Sequence, residues 1–189
     1  MRYVKMYEED PGYAPVYFVD DDETYSLWSE ILPGLWMGGT DDSDTIDYGT
    51  SLSVQPQITQ DNFDLVVTLY AWAKPVDWHV QEIRYGFYDD KMSNIDLDVL
   101  NNIVEQTYQA WKSGKKVLVR CQAGLNRSGL TMALVLMRSG MSAAGAIELM
   151  REKRTKYAVC NKEFEKYLLN LRSEEHTSEL QSHLNLVCR

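Results

Sequence analysis

Cys121, Arg127 and Ser128 lie on one short stretch, Val117-Leu118-Val119-Arg120-Cys121-Gln122-Ala123-Gly124-Leu125-Asn126-Arg127-Ser128-Gly129. It carries a nucleophile, a fixed cation and a hydroxyl. It opens on a β-branched, apolar run bounded by Lys115 and Lys116, which reads as a buried strand. It runs on into Leu130-Thr131-Met132-Ala133-Leu134-Val135-Leu136-Met137, too long to be only a strand and therefore read as a buried helix. A tight loop between a strand end and a helix start gathers free backbone N–H groups into an anion site. A cysteine there sits where the helix N-terminus and an arginine both favour negative charge on sulfur. The bland alternative is a buried structural cysteine beside a solvated arginine. Fixing Gly124 and Ser128 together with the Cys and Arg makes that coincidence rare.

Cys-x-x-Gly-x-x-Arg-Ser-Gly is similar to the signature loop of the cysteine-dependent protein phosphatases, most closely the dual-specificity group. The resemblance runs from Ile31 to Leu171. Ile31 to Gly39 is similar to the opening segment of that domain and Phe63 to Leu69 to its next core strand. Arg154 and the Asn161-x-x-Phe164 spacing are similar to its closing helices.

The resemblance implies a role for each residue. Backbone N–H groups of Gln122, Ala123, Gly124, Leu125, Asn126 and Arg127 would ring the phosphoryl oxygens. Arg127 would hold two of them with its planar fork, which lysine cannot imitate. Cys121 would attack phosphorus in line and form a phosphocysteine, and Ser128 would donate a hydrogen bond to the sulfur. The family takes its general acid from an aspartate about thirty residues earlier. Asp90 fits that spacing, with Asp89 as the alternative. The family's usual histidine before the cysteine is Arg120 here, which can donate similar loop-bracing bonds. The Trp-Pro-Asp acid loop of the larger tyrosine-specific enzymes is absent, as is the lysine-rich loop of inositol-lipid phosphatases. The implied activity is hydrolysis of phosphate monoesters on a phosphorylated protein or peptide, with no cofactor and no metal. Two alternatives stay open. Gly124-x-Asn126-Arg127 resembles the loop of RNA 5′-phosphatases, and Arg120 admits a silent phosphate-binding module.

The 189-residue chain is long enough for one domain with a real core. Its net charge of −9 disfavours nucleic acid and anionic membrane as partners. Three cysteines without paired spacing make neither a disulfide framework nor a zinc site. No apolar run is long enough to span a bilayer, and the expected location is cytoplasmic. Nothing in the sequence speaks to oligomeric state.

The expected fold is α/β: a single domain with a central, mostly parallel sheet of four to five strands flanked by helices, the signature loop joining a strand to a helix. Residues 1–25 read as a solvated, acidic and aromatic lead-in with a few aromatics packed on the core, in preference to an edge strand at Tyr17 to Val19, and 26–171 as the catalytic domain. Residues 172–189 resemble an in-frame adapter read-through and are set aside as one would a tag. Ser26 to Gly39 reads as strand, turn at Pro33-Gly34, strand. Thr40 to Gln60, with Asp41, Asp42, Asp44 and Asp47, reads as an exposed loop or short helix, and it lacks the Gly-centred spacing of a calcium loop. Leu65 to Leu69 is a buried strand. Ala71 to Gln81 carries Trp72, Trp78 and His79, the last read as a surface or packed histidine. Glu82 to Tyr88 is extended. Leu97, Leu100, Val104, Tyr108 and Trp111 share the inner face of a helix capped by Asn94 and closed at Gly114. Ser142 and Asn161 cap two further helices, and Cys160 reads as a packing residue.

Overall fold

The computed structural model describes residues 26–40 and 58–171, together with a short antiparallel pair, β1 (Arg2–Tyr3) and β2 (Phe18–Val19). The expectations for 41–57, for 172–189 and for the rest of the lead-in lie outside the described residues. The remaining strands form one sheet. They are β3 (Trp28–Leu32), β4 (Leu35–Gly38), β5 (Leu65–Thr68), β6 (Gln81–Arg84) and β7 (Val117–Arg120), in the order β3-β4-β7-β5-β6. β3 and β4 are an antiparallel hairpin turned at Gly34, whose φ of +78 is the left-handed conformation glycine tolerates. The pairs β4–β7, β7–β5 and β5–β6 are parallel. A five-stranded, mostly parallel sheet is therefore the observed architecture.

All four residues of β7 are buried, as a central strand covered on both faces requires. Val117, Val119 and Cys121 point to one face with Leu35, Met37, Leu65 and Val67, and the helices cover them. Leu118 points to the other face, where Phe63, Val66 and Val80 meet the edges of Trp28 and Trp36. Arg120 shares the parity of Leu118 and therefore lies on that second face.

Helix α1 (Leu97–Lys112) is capped by Asp96, not Asn94. The Asp96 carboxylate accepts from the N–H groups of Asp98 and Val99 at 3.1 Å. Asn94 is taken up by a single 3₁₀ turn, Met92–Asn94, and Ile95 is extended, so the helix starts later than expected. The inner stripe shifts with it. Leu100, Ile103, Val104 and Thr107 are buried and Leu97 is exposed, while Tyr108 and Trp111 pack at the border. Gly114 ends the helix at φ +90.

Helix α2 (Arg127–Arg138) is buried from Arg127 to Leu136 and packs against α1, β7 and β4. Helix α3 (Ala143–Lys153) packs on α2 and is capped by Ser142, whose hydroxyl accepts from Gly145 N–H at 3.1 Å. Helix α4 spans 162–171. The Asn161 side-chain carbonyl caps it, accepting from Glu163 N–H at 2.9 Å and Phe164 N–H at 3.4 Å. Among the described residues no helix is long and apolar enough to cross a membrane.

Candidate active site

The loop from Cys121 to Asn126 leaves the C-terminal end of β7 and enters α2. Its carbonyls are held from outside, one after another. Gln122 C=O accepts from Thr40 N–H at 3.0 Å. Ala123 C=O accepts from Arg154 Nη2 at 3.3 Å, and Gly124 C=O from Arg154 Nε. Leu125 C=O accepts from Val159 N–H at 3.1 Å, and Asn126 C=O from Leu130 N–H at 2.7 Å. In a planar trans peptide the following N–H points opposite to the carbonyl. With five successive carbonyls turned outward, the amides of Ala123, Gly124, Leu125, Asn126 and Arg127 turn to the inside of the loop. The backbone thus makes a concave ring of donors.

Local sequence makes this shape accessible. Gly124 sits at φ +69, and a Cβ there would lie 2.3 Å from the carbonyl carbon of Gly38 and 2.4 Å from Arg154 Nη2. Arg154 is buried and also donates to Met37 C=O at 3.4 Å, tying the loop to β4. Val159 is held at φ +57, unfavourable for a β-branched residue. Its N–H is the partner of Leu125 and its carbonyl accepts from Arg151 Nη2 at 3.4 Å, so the surroundings hold the strained conformation.

Cys121 is 2% exposed, with its Sγ 3.3 Å from Ser128 Oγ. Arg127, the first residue of α2, is 4% exposed. Its Nη1 donates to Phe87 C=O at 3.2 Å and its Nη2 to Gln122 Oε1 at 3.4 Å. Among the described residues its Nε is buried with no hydrogen-bond partner. A buried, charged donor left unpaired is costly unless a ligand completes it. The ring of Tyr70 covers the guanidinium, with Cζ 5.2 Å from its centroid.

The two candidate acids stand in different surroundings. Asp89 uses both oxygens: Oδ2 accepts from Asn126 Nδ2 at 2.9 Å and Oδ1 from Asn161 Nδ2 at 2.8 Å. Asp90 accepts at Oδ2 from Asn94 Nδ2 at 3.1 Å, while its backbone carbonyl accepts from Asn161 Nδ2 at 3.1 Å. Asn161 therefore caps α4 and also holds the loop that carries both aspartates. Its spacing was visible in the sequence; its second role was not.

Arg120 is buried and reaches across the second face of the sheet. Nε donates to Thr68 Oγ1 at 2.9 Å, and Nη2 to Lys74 C=O at 2.8 Å and to Glu82 Oε1 at 3.2 Å. Through these contacts it fixes the connection that follows β5. Cys160 lies 3.3 Å from Asn126 Oδ1, and burial pushes its thiol up to about 11. It is a packing residue that donates to the loop. His79 is exposed, 2.9 Å from Asp77 Oδ1 and stacked on Trp78. That hydrogen bond holds the Asp77 carboxyl below its usual range. Tyr70, Thr68 and Glu82 were not singled out from the sequence.

The family model for the dual specificity phosphatase catalytic domain matches residues 48–174, more than half of the chain. Solved structures share the fold at low identity. Human DUSP28 aligns with a TM-score of 0.58 at 22% identity, over 78% of this chain and 96% of its own. A human tyrosine phosphatase-like serine/threonine/tyrosine-interacting protein aligns at 0.58 and 19%, over 78% and 97%. The Orf virus tyrosine phosphatase OH1, described as having triple substrate specificity, aligns at 0.57 and 18%, over 78% and 87%. Among curated proteins no significant match is found.

Proposed function

Since the chain belongs to the dual specificity phosphatase catalytic-domain family, we propose that it hydrolyses phosphate monoesters on proteins through a phosphocysteine. The observation that carries this reading is the loop whose five successive carbonyls are bonded outward beside a buried cysteine. Inward amides and the unpaired Arg127 Nε supply donors for phosphoryl oxygens, and their preorganisation favours the charge that builds in the transition state. Cys121 sulfur attacks phosphorus as the P–O ester bond breaks, and Asp90 gives its proton to the departing oxygen. Water then attacks phosphorus, Asp90 takes the water's proton, and the S–P bond breaks to release phosphate. Ser128 Oγ, 3.3 Å from the sulfur, donates to it as it leaves.

Asp89 fits a different part. Both its oxygens accept from amide N–H groups, which donate only, so this carboxylate works as an acceptor that ties Asn126 to Asn161. Asp90 keeps an oxygen outside its bond to Asn94. The net charge of −9 favours a peptide over RNA as the substrate. The test is turnover of an aryl phosphate by the wild-type chain in the presence of chelator, followed by a phosphopeptide against a 5′-triphosphorylated RNA. Turnover that needs added divalent metal, or that prefers the RNA, overturns the reading.

A further inference from the structure

The connection from β5 to β6 starts beside the signature loop, where Leu69 N–H donates to Arg120 C=O at 2.8 Å. It carries two aromatic residues that the chemistry above leaves unused. Tyr70 is half-buried with its ring over the Arg127 guanidinium. Trp72 packs on Tyr70, centroids 5.7 Å apart and planes tilted by 58°, and is 62% exposed.

The backbone that presents Trp72 is fixed on both sides. Arg84 Nη2 donates to Ala71 C=O at 3.3 Å and to Ala73 C=O at 2.7 Å. Arg120 Nη2 holds Lys74 C=O, and Glu82 Oε2 accepts from Val76 N–H at 3.4 Å. Gly86 comes so close that a Cβ there would lie 2.6 Å from Ala71 Cβ, so the connection is also seated on the segment leading to Phe87. A large exposed indole on a fixed backbone, packed on the ring that covers the Arg127 guanidinium, is placed as a binding surface.

We propose that Tyr70 and Trp72 form an aromatic wall that takes the ring of phosphotyrosine, so that the site prefers phosphotyrosine to phosphoserine and phosphothreonine. This rests on the phosphatase reading. Because the Tyr70 ring lies over the Arg127 guanidinium, an ester whose phosphoryl group is gripped by Arg127 has Tyr70 within reach. A serine or threonine ester brings the peptide backbone hard against the loop. A tyrosine ester puts a flat ring along Tyr70 and carries the backbone a ring's length outward, to where Trp72 stands. Tilted aromatic pairs of this kind are favourable beyond their buried area.

The experiment compares matched peptides differing only in phosphotyrosine or phosphothreonine. For Trp72→Ala the ratio of the two kcat/KM values should fall about tenfold, through KM for the phosphotyrosine peptide. Trp72→Phe should restore most of it. A binding arm uses Cys121→Ser, with and without Trp72→Ala, and the same peptides, so that it needs no turnover. An equal fall for both peptides, or no change in the ratio, overturns the wall. A wild-type chain inert toward both peptides overturns the hydrolytic reading, and the binding arm then still decides the wall by whether Trp72→Ala weakens the phosphotyrosine peptide selectively.

Discussion

The loop after β7 and the connection after β5 leave the same end of the sheet, and they are held in place by different means. The first is gripped by its own backbone: Thr40, Arg154, Val159 and Leu130 each bind one or two of its carbonyls, and nearly every residue of it is buried. The second is gripped through side chains on the face of Leu118, where Glu82 gathers Thr68, Arg84 and Arg120 and the two arginines reach out to the connection's carbonyls. In the proposed reaction the first presents donors to the phosphoryl group and the second presents rings to the group esterified to it. Substitutions in the first should abolish chemistry or folding; substitutions at Tyr70 and Trp72 in the second should change which ester is taken.

The largest expected effect tests the first half of that contrast. Cys121→Ser should lower turnover by at least roughly a thousandfold, because the hydroxyl is a far weaker nucleophile at neutral pH. The amide ring and Arg127 are untouched, so vanadate or inorganic phosphate should still raise the melting temperature of the variant. A variant that loses both turnover and oxyanion binding would mean that Cys121 shapes the loop rather than reacting from it.

Gly124→Ala should come next. The added methyl has no room, lying 2.3 Å from Gly38 C and 2.5 Å from Gly39 N, and φ +69 disfavours it independently. The expected cost is about 3 kcal/mol or more, read by denaturant unfolding. A change under about 1 kcal/mol would show that the loop is not seated on β4 in the way the carbonyl contacts require. Gly86→Ala, which crowds Ala71 in the second region, makes the parallel test of how firmly that connection is seated.

Asp90 and Asp89, on the segment between β6 and α1, bear on the first region through Asn126 and Asn161 and separate by leaving group. Phenyl phosphate needs a proton on its departing oxygen; a dinitrophenyl or fluorinated coumarin phosphate needs it much less. Asp90→Asn should slow the first by about a hundredfold and the second far less. Asp89→Asn disturbs the bonds to Asn126 and Asn161, so it should act on both substrates alike. If the two variants exchange behaviours, the acid is Asp89. If neither shows leaving-group dependence, this loop supplies no acid.

What could be read in the sequence divides along the same line. The signature loop was legible because its chemistry depends on residue type: cysteine, glycine and arginine at fixed spacing have few other uses. The central strands were legible because β-branched runs bounded by polar residues announce themselves, and Ser142 and Asn161 because a cap is a local device. The start of α1 was misplaced for a local reason too: Asn94 and Asp96 cap equally well, and only the 3₁₀ turn at Met92–Asn94 decides between them. The aromatic connection was not legible. Tyr70, Trp72 and Trp78 are ordinary in composition, and what distinguishes them is which end of a parallel sheet each one reaches. Arg120 was legible as a departure from the family's histidine, but its reach to Glu82 and Lys74 follows from strand parity and from a crossing set by tertiary structure.

Trp78 gives the smallest expected effect and the cleanest control. Among the described residues it is the most exposed of the large apolar side chains, at 85%, and it lies on the same connection as Trp72. The connection runs from the C-terminal end of β5 to the N-terminal end of β6, and in a parallel pair those ends are a strand's length apart, roughly 13 Å for four residues. Trp72 is near the start of that path and Trp78 near its finish. The neighbours agree: His79 C=O accepts from Gln60 Nε2 at 2.6 Å, and Gln81 Oε1 from Lys115 Nζ at 3.5 Å, Lys115 lying just before β7. Trp78→Ala should therefore leave the phosphotyrosine-to-phosphothreonine ratio within about twofold and stability within about 0.5 kcal/mol, as for an exposed residue away from caps and core. The Asp77–His79 contact beside it is likewise too exposed to carry stability. A loss of selectivity matching that of Trp72→Ala would mean that solvent-exposed indoles capture these peptides wherever they stand. The contrast between a chemical floor and a positioned aromatic wall would then fail at the wall.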